Sequence, residues 1–224
     1  MLLPIGDILS GEQLSEVDRL LGTVAWRDGK ETAGRVAKQV KINTQADLTN
    51  RTGAKLRDML REAVINHPVL RAAAWPKRLS KIIVSKTRPG GGYGLHVDNA
   101  FMGAGDARLR TDLSFTLFLS DPEAYEGGDL SIEQAGVSQT LKLPKGSLIL
   151  YPSTSLHEVQ PVISGERVVC VGWIESQFVR PDDRELLFDL ENLRASLLAT
   201  HDAQSPEMLT LAKSISNLQR RFST

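Results

Sequence analysis

The sequence predicts an α+β chain with a mainly β core, an antiparallel sandwich or barrel held between helices at both ends. Three observations predict it. Seven short β-rich runs fall between about residues 78 and 178, separated by turn residues and by nothing long enough to be a helix. Apolar residues at helical spacing occupy the flanks instead. The 224 residues, 41% hydrophobic and 24% charged, suit one elaborated globular domain or two small ones.

At the N-terminus, Ser10 followed by Gln13 fits a capping box. Leu14, Val17, Leu20 and Leu21 then recur at helical spacing until Gly22. GRVAKQVKINT, from Gly34, reads as a strand. A second helix is predicted from about Thr49 to Ile65, with Leu56, Met59, Leu60, Ala63 and Val64 on one face and Pro68 soon after its end.

The β runs follow: KIIVSKT, DLSFTLFLS, GDLSIEQ, SQTLKL, GSLILYP, LHEVQPV and RVVCVGWI. Between them stand Pro89 to Gly92, Asp121-Pro122, Gly127-Gly128, Ala135-Gly136, Pro144 to Gly146 and Ser164-Gly165, all turn-forming. Beyond residue 178, Asp182 and Asp183 can cap a helix carrying Leu186, Leu187, Leu190, Leu193 and Leu197. Ser205-Pro206 opens a last helix with Met208, Leu211, Ala212, Ile215, Leu218 and Phe222 on one stripe. The pair forms a hairpin whose stripe must be buried on the core or on another copy, so a homo-oligomer through these helices is an expectation. The divisions are 1–77, an N-terminal α/β segment; 78–178, the β core; and 179–224, the helical extension.

Acidic and basic residues balance at 27 each, which removes any charge argument for nucleic acid or an anionic membrane. Cys170 is the sole cysteine, so no disulfide framework or cysteine-rich metal site exists. No apolar run approaches the roughly 18 residues of a membrane span, and the first residues lack a signal peptide's basic start and long apolar core. The expected location is cytoplasmic.

The chemistry starts at GGGYGLHVDNAF, from Gly90. On a strand, His96 and Asp98 share a face about 7 Å apart along the backbone, so two ligands can converge on one ion. An HxD pair alone is common by chance, and a third ligand has to come from elsewhere. His67 precedes Pro68 at a helix end and His201 lies between the C-terminal helices, and both read as capping or surface residues. His157 opens LHEVQPV inside the β core. Two imidazoles and one carboxylate match the facial triad of non-haem iron(II), although zinc or manganese would accept the same ligands.

The open positions of such an ion admit a 2-oxo acid, whose far carboxylate needs a fixed cation. Arg167 lies ten residues after His157. If the two strands form a hairpin with a loop of three or five residues, Arg167 pairs opposite Pro161 on the face of His157, roughly 13 Å along the strand. An even loop would turn it outward. The odd loop is the expectation.

YGLHVDN, DLSFTLFLSDP, YEGGDL, LPKGSLILYPSTSLHEVQPV and GERVVCVGWIES together resemble the iron(II)/2-oxoglutarate-dependent dioxygenases, and within their prolyl-4-hydroxylase-like branch the bacterial PKHD-type hydroxylases. The similarity covers most of the chain, including RELLFDLENLR. It implies a double-stranded β-helix (jelly roll) core with N-terminal supporting helices and a C-terminal helical extension. It assigns His96, Asp98 and His157 to iron(II) and Arg167 to 2-oxoglutarate. The implied reaction couples decarboxylation of 2-oxoglutarate to succinate and CO2 with hydroxylation of an unactivated C–H bond in a peptidyl proline, an amino acid or a small metabolite. Ascorbate is the implied reductant, and a link to iron homeostasis is a loose association. Where hypoxia-type relatives carry a tyrosine for the far carboxylate, the aligned residue here is Phe118, with Thr116 on the same face as a substitute.

Around the site, Tyr93 reads as a rim residue for substrate or as packing. Strict alternation places it opposite His96, unless the glycines break the register. Asn99 orients Asp98 or ends the strand. Trp173 and Cys170 read as core. The alternatives to a hydroxylase are a non-catalytic iron and 2-oxoglutarate sensor and a cupin-like enzyme of another metal, in which Arg167 has no role.

Overall fold

A computed structural model of the chain describes residues 1–29 and 41–223. Strand β1 (Leu3–Ile5), helix α1 (Gly11–Leu21), β2 (Trp26–Asp28), β3 (Lys41–Ile42) and β4 (Thr44–Ala46) precede helices α2 (Arg51–Asn66) and α3 (Pro68–Ala74). There follow β5 (Pro76–Leu79), β6 (Ile83–Thr87), β7 (Gly92–His96), β8 (Phe101–Met102), β9 (Leu109–Arg110) and β10 (Leu113–Phe118). Next come β11 (Tyr125–Gly127), β12 (Leu130–Gln134), β13 (Val137–Leu141), β14 (Leu148–Pro152), β15 (His157–Val159), β16 (Val162–Gly165) and β17 (Arg167–Ser176). Helices α4 (Pro181–Leu197) and α5 (Pro206–Phe222) end the chain.

Every pairing among the described strands is antiparallel. A major sheet runs β1-β14-β10-β17-β6-β4-β2, with β5 also on β17, and a minor sheet runs β13-β12-β15-β7-β3. This is the layered arrangement of a jelly roll. The predicted strand in GRVAKQVKINT falls mostly outside the described residues, and its end appears as β3 and the start of β4.

The alternation in LSFTLF sorts β10 between two cores. Phe115 and Leu117 join Val17, Leu20, Leu56, Leu60 and Val64, which α1 and α2 lay against the major sheet. Phe118 turns the other way, to Leu130, Ile132, Ile149, Tyr151 and Val169 between the sheets. Phe115 pairs across from Gly172, where an added Cβ would lie 2.8 Å from the Phe115 ring. Glycine is required there because the ring occupies the space of its side chain. Cys170 is fully buried, as expected of a small apolar residue, and burial pushes its thiol pKa up.

The helix ends follow local chemistry. Ser10 and Gln13 form the reciprocal capping box. Helix α2 begins two residues later than predicted, because Asn50 accepts from Gly53 N as its cap while Asp47 engages Thr49. Pro68 starts α3 rather than only ending α2. Asp182 and Asp183 are not caps: Arg180 holds that position without a side-chain cap bond, and the acids sit in the first turn of α4. Ser205 caps α5 through Met208 N. The hairpin buries Leu187 and Ile215 with Phe178 and Trp75 on the chain itself, although Leu186, Leu193, Leu198 and Leu209 stay exposed. Among the described residues, no helix is long and apolar enough to cross a membrane.

Two substitutions read out this hierarchy. Ser10→Ala should lower stability in urea unfolding by about 1 kcal/mol, the worth of a cap. Phe115→Ala should cost about 3–5 kcal/mol, since it empties a packed position over Gly172.

Candidate metal centre

Strands β7 and β15 set His96 directly opposite His157. The ring centroids are 4.2 Å apart. His96 ends its strand and Asp98 follows two residues later, in irregular chain. The HxD pair is therefore split between a strand end and a loop, rather than sharing a strand face as predicted. His96, Asp98 and His157 still each offer a ligand atom within 4.8 Å of the others, and His157 Nε2 lies 3.8 Å from Asp98 Oδ2.

Each imidazole is oriented by its own backbone. His96 Nδ1 meets Gly94 O at 2.8 Å and His157 Nδ1 meets Ser155 O at 3.0 Å. A carbonyl only accepts, so both Nδ1 atoms carry a hydrogen, and in the neutral imidazole that leaves the Nε2 lone pair for a metal ion. Two imidazole nitrogens and one carboxylate in this arrangement suit an iron(II) ion. His67 and His201 are not brought to this cluster. His67 joins α2 to α3 and its side chain makes no cap bond, whereas exposed His201 bonds locally to Thr200.

Strict alternation would turn Tyr93 away from His96, and a break in register near the glycines would bring it round; the second holds. The strand pairing slips between His157 and Val159, with Val159 opposite Tyr93. This β-bulge gives β7 an extra residue and turns both side chains to one side. Tyr93 stacks on His96 with centroids 3.6 Å apart and planes at 22°. Burial first, and Asp98 second, raise the Tyr93 pKa to about 12, which keeps the phenol protonated.

Arg167 is also inside, by a different route from the predicted hairpin. Pro161 is not its partner. Strand β16 intervenes and pairs with β11, and β17 belongs to the major sheet, with Arg167 opposite Thr87 of β6. The guanidinium reaches the site from the facing sheet. It is 3% exposed, and burial pushes its pKa down. Among the described residues, its Nε and Nη2 make no well-formed hydrogen bond. The buried Tyr125 hydroxyl lies beside the guanidinium and interacts with it, and second only to burial each shifts the other's pKa. Gly128 leaves the room: a Cβ there would sit 3.0 Å from Arg167 Cδ and 3.3 Å from Tyr125 Cε2. Buried donors of a cation are costly without acceptors, so the donor set fits an anionic ligand such as a carboxylate. Phe118 offers its ring 5.7 Å from Arg167 Cζ and no hydrogen bond.

A cavity of about 700 Å³ connects these groups and is lined by Tyr93, the three candidate ligands, Thr116, Tyr151, Arg167 and Trp173. Trp173 was predicted to be core. Its indole instead lines the cavity, with Nε1 buried and unpartnered among the described residues. Tyr151 meets His157 edge-on at 5.2 Å. Asn99 lines the cavity, but it is Ser114 that donates to Asp98 Oδ2, at 2.6 Å. Sequence reasoning assigns no role to Ser114 or Tyr151 and reads Trp173 as core, because nothing local in their strands marks which face another sheet will cover. Only the closure of the second sheet turns that face into a cavity wall.

The family model for the 2OG-Fe(II) oxygenase superfamily matches residues 82–175. A PKHD-type hydroxylase of Hyphomonas neptunium is 52% identical over 222 residues, 99% of each chain. One of Synechococcus elongatus is 46% identical over the full length of both. Among solved structures, a viral collagen prolyl hydroxylase from Paramecium Bursaria Chlorella virus-1, in complex with 2OG, matches the fold with a TM-score of 0.51 at 19% identity. That match covers 78% of this chain and 95% of the other.

The cluster makes a direct prediction about bound metal. Adding manganese(II), a redox-quiet divalent ion, should raise the thermal midpoint of the wild-type chain by mass action on the folded state. The same addition should leave His157→Ala unmoved in a thermal scan.

Proposed function

Because the chain belongs to the PKHD-type hydroxylases of the 2OG-Fe(II) oxygenase superfamily, we propose that His96, Asp98 and His157 hold its iron(II) and that Arg167 anchors its 2-oxoglutarate. The observation that carries this reading is a three-ligand cluster in one cavity with a buried guanidinium whose Nε and Nη2 make no well-formed hydrogen bond among the described residues. When bound, iron(II) and 2-oxoglutarate supply the chemistry that couples oxidative decarboxylation to succinate and CO2 with hydroxylation of a C–H bond. Ascorbate would serve to keep the iron reduced.

The chain's own residues bind, orient and exclude. The Nδ1–H bonds to Gly94 O and Ser155 O aim both Nε2 atoms at the ion. Arg167 directs its unmatched donors at the far carboxylate of the co-substrate, a charge-assisted contact inside an apolar wall. Phe118 gives that carboxylate no hydrogen bond, and the Thr116 hydroxyl, which lines the same cavity, serves as the second contact. Tyr151 and Val159 shield the floor from water. Tyr93, stacked on His96 at the cavity wall, contacts the substrate.

The substrate class follows from the rim. Leu95, Val97 and Phe101 line the cavity and are about half exposed, at 54%, 52% and 49%. An apolar rim of this kind continues the binding surface outside the cavity. It favours a peptidyl substrate, proline included, whose flanking residues lie on the rim, over a free amino acid.

Anaerobic protein with iron(II) and 2-oxoglutarate should show a metal-to-ligand charge-transfer band, and oxygen should consume it with slow formation of succinate. His96→Ala and Asp98→Ala should abolish both signals. Arg167→Ala should raise the 2-oxoglutarate concentration required by roughly 10- to 100-fold, the loss of a charged hydrogen bond. Wild-type turnover in Asp98→Ala would refute the assignment.

A further inference from the structure

The two histidines of the site are held by paired strands, and Asp98 is not. It lies beyond the end of β7 in irregular chain, so strand pairing does not fix its position. What restrains it comes from the opposite sheet. Ser114 Oγ, on β10, donates to Asp98 Oδ2 at 2.6 Å. That commits the one hydroxyl hydrogen of Ser114, so in the 2.7 Å contact between Ser114 Oγ and Ser153 Oγ Ser153 is the donor. Ser114 and Ser153 are 2% and 3% exposed.

Strand registers place this relay in the cavity wall, since Ser114 pairs with Tyr151 on one side and Trp173 on the other. Two buried hydroxyls in series, ending on a carboxylate side chain that is 8% exposed, form a fully directed chain of donors. Ser114 aims its hydrogen directly at the carboxylate, and Ser153 donates to Ser114 behind it.

Resting on the iron reading above, we propose that Ser114, seated by Ser153, is a positioning residue. It fixes the rotation of the Asp98 carboxylate so that this ligand is already aligned with the two imidazoles before an ion arrives. The tether joins the major sheet to the minor-sheet site, and the gain is preorganisation of a ligand that the strand itself does not hold.

The test uses the full chain, metal-free and without oxygen, titrated with cobalt(II) and followed by the visible absorption of the bound ion. Thermal unfolding of each metal-free variant is recorded alongside. Ser114→Ala should weaken cobalt(II) binding about 10- to 100-fold, the range for losing an outer partner of a ligand. Its metal-free midpoint should fall by no more than the few degrees expected from one buried hydrogen bond. Ser114→Thr, which keeps the hydroxyl, should restore the affinity, and Ser153→Ala should show a smaller loss in the same direction. Wild-type affinity in Ser114→Ala, with binding lost in Asp98→Ala, would overturn the tether and leave the metal site standing. Wild-type affinity in Asp98→Ala would overturn the metal site and the tether together.

Discussion

Antiparallel pairing of β7 with β15 puts His96 across from His157, and the remaining parts of the site are arranged around that pair. The register brings two imidazoles within reach of one ion. The bulge beside it decides which neighbours they have. One extra residue on β7 turns Tyr93 onto His96, where regular alternation would turn it away. A slip of one residue in this pairing would send one histidine to the other face of the minor sheet, and no other described residue would replace it.

The second constraint is electrostatic. The guanidinium of Arg167 is buried opposite the histidines, and its Nε and Nη2 make no well-formed hydrogen bond among the described residues. Folding accepts that desolvation because β17 pairs on both sides in the major sheet, with β10 and with β6, and because Gly128 leaves a slot for the side chain. Such a site is costly when empty and favourable with a carboxylate in place.

Local patterns made much of the fold legible. The β-rich runs LSFTLF and LILYP, helical spacing from Leu14 to Leu21, and the caps at Ser10 and Ser205 depend on neighbours in sequence, and the corresponding strands, helix and caps are present in the structure. The two- and three-residue strands β8, β9 and β11 were not legible, since so few residues carry no period. Strand β16 was hidden by Ser164-Gly165, which read as a hairpin turn but lies where the chain leaves the minor sheet for the major one. Arg167 thus does line the cavity, but through a geometry other than the expected hairpin, because sequence spacing cannot tell a hairpin from a crossing between sheets.

By itself, the sequence determined the chemical inventory: two histidines and an aspartate in a β-rich context, one arginine ten residues on, and no cysteine framework. These follow from residue types and local spacing. Tertiary structure decided what faces what. It put Arg167 and Ser114 on the sheet opposite the histidines, turned Trp173 from presumed core to cavity wall, and folded Tyr93 over His96. Those relations depend on long-range register, bulges and sheet closure, which arise from contacts between residues far apart in the chain and so leave no local period to read.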